Sequence, residues 1–411
     1  MSETGRLPFP PEPGWRASLR GELEGLAARG HRRILRTLAG RQGPLVRFEG
    51  REAVLLASNN YLGLADHPAL ALAAADAARR WGASAAASPL ISGHMEPHAA
   101  LASALAALKG KEAALLFGSG FLANLGLLSA LADRGDVIFS DALNHASIVD
   151  GCHLSRAETK VFPHNDTGAL ERALAESRAA RRKVIVVDGV FSMDGDLAPL
   201  PALADLAREH GALLIVDEAH ATGVLGPGGR GAAARFGLPH RVGAAMGTLG
   251  KALASYGAFA CAEEETVDYL VNRARPYIYS TALPPPAVAA AHAALQLSSG
   301  EEGERRRARL KMLGARFRAG LRRIGFAMPD PPEGEEVPIF PLVVGEAGKA
   351  VALAEHMLAA GVFLLAIRPP TVPEGTSRLR ATLMATHTEA QVDRALDALG
   401  EGVKKLGVAP R

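Results

Sequence analysis

Four compact apolar runs of strand length, at residues 113–117, 137–140, 184–188 and 213–217, are separated by Ala- and Leu-rich stretches of helical character such as 201–210. Strands spaced by helices imply βαβ units, and these build a mainly parallel sheet covered by helices on both faces. Ligands of such a sheet sit beyond the carboxyl ends of its strands. The residues just after each run are therefore the candidates for chemistry.

At 411 residues the chain exceeds what one hydrophobic core usually organises. The expected division is an N-terminal segment and helix over residues 1–50, a large α/β domain over 51–290 and a smaller α+β domain over 291–411. Within the first part, four prolines in the first fourteen residues predict loose or surface-draped chain, and a helix follows over 16–38. A Gly/Pro break at 40–44 then leads to an alternating segment that ends in Ser58-Asn59-Asn60-Tyr61-Leu62-Gly63-Leu64. The Pro284-Pro285-Pro286 run marks the later boundary. Beyond it a helical region is predicted to residue 324, then strand 337–344, helix 349–360, strands 362–367 and 378–383, and helix 389–406.

Hydrophobic residues make up 48% and charged residues 22%, a globular balance. Basic and acidic residues number 46 and 43, so the net charge of +3 gives no field that would favour nucleic acid or an anionic membrane. Residues 113–132 are uncharged, yet Gly118, Ser119, Gly120 and Asn124 interrupt them, which reads as strand, turn and helix rather than a membrane span. Only Cys152 and Cys261 carry thiols, too few for a disulfide framework or a four-thiolate metal site. They are expected to be packing residues of a cytoplasmic protein, and no metal is expected.

The segment around Gly250-Lys251-Ala252 surrounds one lysine with small and apolar residues. That setting disfavours the ammonium and leaves the neutral amine that attacks carbonyl carbon to form a Schiff base. Asp217 ends the apolar run 213–217 and can pair with a protonated pyridine nitrogen, while His220 can reach a phenolic oxygen on the same ring. The turn Phe117-Gly118-Ser119-Gly120-Phe121 opens a helix whose N-terminal N–H groups can cradle phosphate, and Thr248 could hold phosphate as well. His145 follows run 137–140, where an imidazole can stack on an aromatic ring, and Ser192 follows run 184–188. Brought to one sheet edge, these are the parts of a pyridoxal phosphate (PLP) site. A helicase reading of Asp217-Glu218-Ala219-His220 with Gly250-Lys251 fails. Ala245 stands at the required first glycine, Ala252 replaces the magnesium-binding hydroxyl, and the order is reversed.

From about Arg33 onward the chain resembles the α-oxoamine synthases, a branch of the fold-type-I PLP transferases. The resemblance is carried by Ser58 to Leu64, His164-Asn165-Asp166, Phe191-Ser192-Met193-Asp194-Gly195, Asp217 to Gly223 and Tyr279-Ser280-Thr281, in the family's order. It implies Lys251 as the Schiff-base lysine, Asp217 as the ring-nitrogen partner, and Ser192 and His220 at the phenolic oxygen. It also implies His145 stacked on the ring and Ser119, Gly120, Phe121 and Thr248 at the phosphate. Ser280 and Thr281 would reach the cofactor of a neighbouring subunit, so a homodimer with shared sites follows. Asn59 and Arg380 would hold the amino-acid carboxylate, Thr371 would line the substrate site, and Arg33 would meet the acyl group's distal carboxylate.

The segment Ala366-Ile367-Arg368-Pro369-Pro370-Thr371-Val372-Pro373, followed by Arg378-Leu379-Arg380, is most similar to the branch that joins L-alanine to a pimeloyl thioester. The donor is a CoA or acyl-carrier-protein ester, and carbon dioxide and the thiol are released. Glycine with acetyl- or succinyl-CoA, and serine with a long acyl chain, are the neighbouring reactions within the family. Two positions depart from it: Pro89 stands where relatives often have arginine, and Asp188 where many have glutamate.

Overall fold

The computed structural model describes residues 13–331 and 336–411; the expectation for the first residues falls outside it up to position 12. Its centre is a seven-stranded sheet in the order Ala113–Phe117, Ala258–Ala262, Ala244–Thr248, Leu213–Asp217, Lys183–Asp188, Val137–Asp141 and Glu158–Phe162. Six strands run in one direction; Ala258–Ala262 is antiparallel to both neighbours. Successive residues of one strand enter different cores. Ile185 and Val187 join the larger apolar cluster, whereas Val184 and Val186 join the one on the opposite face. Both faces of the sheet are thus dry, as the apolar runs require.

Two smaller sheets flank it. Leu38–Ala39, Leu45–Phe48 and Arg51–Leu55 form an antiparallel meander, and Val362–Phe363 adds to its edge in parallel. Ile339–Gly345, Ser377–Thr382 and Ala366–Ile367 form an antiparallel sheet with helix Ala347–Ala359 against it. The expected single strand over 362–367 is therefore two short strands in different sheets. Its first pair of residues follows Val54 and Leu55, and its last pair follows Leu379 and Arg378.

One expected helix is also corrected, and one expected helical region is divided in two. The helix predicted over 16–38 is Pro13–Ala28, closed by bonds from Gly30 N to Ala27 O (2.9 Å) and His31 N to Leu26 O (2.8 Å), with Gly30 at φ 68°. A left-handed glycine there ends the helix and turns the chain away. The helical region leading to 324 is two helices, Pro285–Ser299 and Glu301–Ile324, parted at Gly300. Their junction is tight: a Cβ on Gly303 would lie 1.9 Å from the Ser298 carbonyl oxygen.

Candidate active site

All six co-directional strands end at the same edge, and the candidate residues follow them there. Asp217 is the last residue of its strand. Its Oδ2 accepts from Asn124 Nδ2 at 2.8 Å and its Oδ1 accepts from the Ala219 N–H at 2.8 Å, which fixes the carboxylate. Asn124 Nδ2 also donates to Ser147 Oγ (2.9 Å), and that hydroxyl lies 2.7 Å from His145 Nδ1. His145 caps helix Ala146–Ser155. Burial holds its pKa below the ordinary value, so the imidazole is neutral at physiological pH.

Lys251 follows strand Ala244–Thr248, and its Nζ lies 2.8 Å from His220 Nε2. Burial pushes the amine down to about 8, helped by Arg380 and opposed by Asp217 and Asp188. His220 is driven well below the usual imidazole range by burial and by the charges of Lys251 and Arg380. Beside Asp217, Asp188 accepts from the His145 N–H at 2.8 Å; burial, and then the Asp217 charge, hold its carboxyl well above the usual range.

At the other side of this group, Ser119 caps helix Gly120–Leu131 by accepting from the Leu122 N–H at 3.2 Å. A Cβ on Gly120 would lie 4.0 Å from Thr248 Cβ, so Thr248 stands against that helix N-terminus, with Oγ1 3.1 Å from the Gly257 carbonyl. Phe121 is 41% exposed at the same end. A helix N-terminus with two hydroxyls beside it and a glycine that admits close approach is an arrangement that can receive an anion.

Arg380, on strand Ser377–Thr382, donates from Nε to the Ser192 carbonyl and from Nη1 to Asn59 Oδ1 at 3.2 Å. The structure thus brings Lys251, His220, Asn59, Ser192 and Arg380 together, with Asp217 and His145 facing them. Arg33 and Thr371 form a separate pair, Nη2 to Oγ1 at 3.2 Å. Among the described residues, no hydrogen bond joins Ser280 or Thr281 to the Lys251 group; they precede Ala282, whose N–H donates to the Ala87 carbonyl at 2.9 Å.

Three residues had no assigned role before the structure. Tyr61, fully buried, joins His220 to Asn59. Asn124 joins Asp217 to Ser147, and its signal in the sequence is an amide within the apolar helix Gly120–Leu131. Arg368 has its pKa lowered by burial and by the neighbouring Arg33 charge. Glu218, which suggested the helicase motif, is instead buried against Lys109 and accepts from the Ala233 N–H at 2.8 Å.

A lysine held at about 8, an anchored carboxylate and a small-residue anion cradle at one sheet edge define a PLP-dependent enzyme. The class I and II aminotransferase family matches residues 51–399. The 8-amino-7-oxononanoate synthase of Geobacter sulfurreducens is 56% identical over 95% of this chain and 99% of its own length, and that of Geotalea daltonii is 53% identical over 94% and 98%. Among solved structures, a serine palmitoyltransferase from S. paucimobilis with a bound PLP–myriocin aldimine superposes with TM-score 0.89 at 29% identity, covering 96% of this chain and 98% of its own. The 8-amino-7-oxononanoate synthase of Francisella tularensis superposes with TM-score 0.74 at 28% identity, over 87% and 99%. The chain belongs to the class I and II aminotransferase family and, within it, to the 8-amino-7-oxononanoate synthases.

Proposed function

We propose that the chain condenses L-alanine with a pimeloyl thioester, of CoA or of acyl carrier protein, to give 8-amino-7-oxononanoate, carbon dioxide and the free thiol, a step of biotin synthesis. The observation that carries the reading is the placement of Lys251 beside His220, with its amine at about 8 and the Arg380–Asn59 pair next to it.

Lys251, Asp217, His145, His220 and Ser192 would hold the ring of PLP, and Ser119, Gly120, Phe121 and Thr248 its phosphate. Bound there, PLP supplies the electron sink for negative charge at the amino acid's α-carbon. The Arg380 guanidinium, braced by Ser192 and Asn59, receives the alanine carboxylate, and its fork geometry sets which α-bond is aligned for cleavage. Lys251 takes the α-proton, since an amine at about 8 is partly neutral near pH 7. The Asp217 carboxylate is oriented by Asn124 and the Ala219 N–H, and the neutral His145 would lie against the ring. Arg33 and Arg368, close enough to lower the latter's pKa, offer paired cations for the distal carboxylate of the acyl chain. That anion requirement favours a dicarboxylic acyl group over acetyl or palmitoyl.

The working unit in this reading is a homodimer in which Ser280 and Thr281 complete the partner's phosphate site. The two free, buried thiols, with Cys152 pushed up to about 11 and Cys261 to about 12, belong to a fold that uses no disulfide, which suits the cytoplasm. No described helix is long and apolar enough to cross a membrane.

The test is to load the purified protein with PLP, follow its visible band on adding L-alanine or glycine, and then add pimeloyl-CoA while monitoring thiol release. The expected result is a shift with alanine and thiol release only with both substrates. Turnover confined to glycine and a short acyl-CoA would overturn the substrate assignment; no visible band would overturn the cofactor.

A further inference from the structure

The buried hydroxyl of Tyr61 occupies a junction. Its oxygen lies 2.6 Å from His220 Nδ1, 3.1 Å from Asn59 Oδ1 and 3.4 Å from Arg380 Nη2, while the other ring nitrogen of His220 faces Lys251 Nζ at 2.8 Å. An unbroken line of polar contacts therefore runs from the amine to the carboxylate-binding pair.

The donors in this line can be assigned. Asn59 Oδ1 also takes an N–H from Arg380, so it is the amide oxygen, and the phenol proton points to it. Burial raises the Tyr61 pKa, so that proton stays on the phenol. With its proton committed to Asn59, the Tyr61 oxygen is left as an acceptor, and His220 Nδ1 must donate to it. A neutral imidazole protonated at Nδ1 has a bare Nε2, and that lone pair points at Lys251.

We propose that Tyr61 is a positioning residue which fixes the tautomer of His220, so that His220 accepts from Lys251 and supports its ammonium, and which ties this setting to the Asn59–Arg380 pair. Without the phenol oxygen, a buried Nδ1–H would have no acceptor, and the proton would move to Nε2. Lys251 would then face a donor instead of an acceptor. The other groups acting on this pair are Asp217, Asp188 and Arg380 on Lys251, and Arg380 and His145 on His220. A Tyr61→Phe change removes none of these charges, although it releases the contact from Arg380 Nη2. The inference rests on the reading of Lys251 as the working amine, and its test is made without turnover.

In the full-length, cofactor-free protein, trace acylation of Lys251 followed by mass spectrometry across pH gives its midpoint, expected near about 8. In Tyr61→Phe the midpoint falls, the acid constant rising about tenfold. An unchanged midpoint in a variant that melts like the parent overturns the proposal. A second measurement needs no folded variant of Tyr61. The nitrogen-15 spectrum of histidine-labelled wild type, with His220 assigned by its loss in His220→Gln, shows Nδ1 protonated and Nε2 bare. Protonation at Nε2 overturns the proposal. If either measurement fails while the PLP-loaded enzyme still turns over alanine and the pimeloyl thioester, only the tautomer assignment is lost. If turnover fails while both measurements hold, the function is lost and the tautomer assignment stands.

Discussion

Asp217 ends one strand and His145 follows another at the proposed ring site, and Asn124 is the side chain that spans them through Ser147. Asn124→Ala removes a neutral donor from a charged acceptor, which is worth about 2 kcal/mol. PLP affinity, titrated by absorbance in the refolding-competent variant, should fall roughly 10- to 30-fold. His387 shows the same economy away from the site. Its Nδ1 accepts from the Met384 N–H (2.9 Å) and its Nε2 lies 3.1 Å from the Leu55 carbonyl, with burial pushing its pKa down to about 4. The unfolded chain binds its proton near the ordinary value of about 6.5, so between there and about 4 the unfolded state holds more protons and stability is lost as pH falls. The loss is about 3 kcal/mol over that window. Melts of His387→Gln should start less stable at pH 7 and show a correspondingly shallower fall toward pH 4 than wild type. The residues at strand ends were legible in the sequence because position after an apolar run marks the edge. Tyr61 and Asn124 were not, because their meaning depends on partners 159 and 93 positions away.

At the scale of elements, the turn after strand Leu213–Asp217 carries His220 and rests on a buried pair. Lys109 Nζ meets Glu218, the Thr222 hydroxyl (2.8 Å) and the Arg230 carbonyl (2.8 Å), with both side chains almost wholly shielded from water. A Cβ on Gly231 would lie 2.3 Å from a Glu218 oxygen, so the backbone closes over the carboxylate. Lys109→Met strands a buried charge and should cost about 3–5 kcal/mol in urea unfolding. Adding Glu218→Leu should recover part of that loss, since two apolar residues leave no unpaired charge. Helix and strand type followed from periodicity, and strands 113–117 and 213–217 have the expected bounds. The misjudged elements have separate causes. Helix Pro13–Ala28 is largely solvent-exposed, so apolar periodicity gave its end no anchor, and the 362–367 run was divided by which sheet each half could pair with.

Across the whole molecule, the site is closed by segments from both ends of the chain. Arg380 comes from the C-terminal antiparallel sheet, Asn59 from the stretch after Arg51–Leu55, and the Thr382 N–H donates to the Leu56 carbonyl at 2.8 Å, holding the two against each other. Ser280 and Thr281 have no hydrogen bond to this group within the described residues, and the family resemblance, with the proposed homodimer, assigns them to the neighbouring site. That assignment predicts complementation. A Lys251→Ala chain and a Ser280→Ala/Thr281→Ala chain are each expected to be nearly inactive as homodimers, the second through weak PLP binding. When unfolded and refolded together, about half of the dimers are mixed, and each mixed dimer has one site with both its lysine and its donated hydroxyls intact. Mixing should restore about a quarter of wild-type turnover, at wild-type PLP affinity. If the hydroxyls served their own chain's site, each mixed dimer would hold two separately damaged sites. Thiol release would then stay at the level of the parent variants.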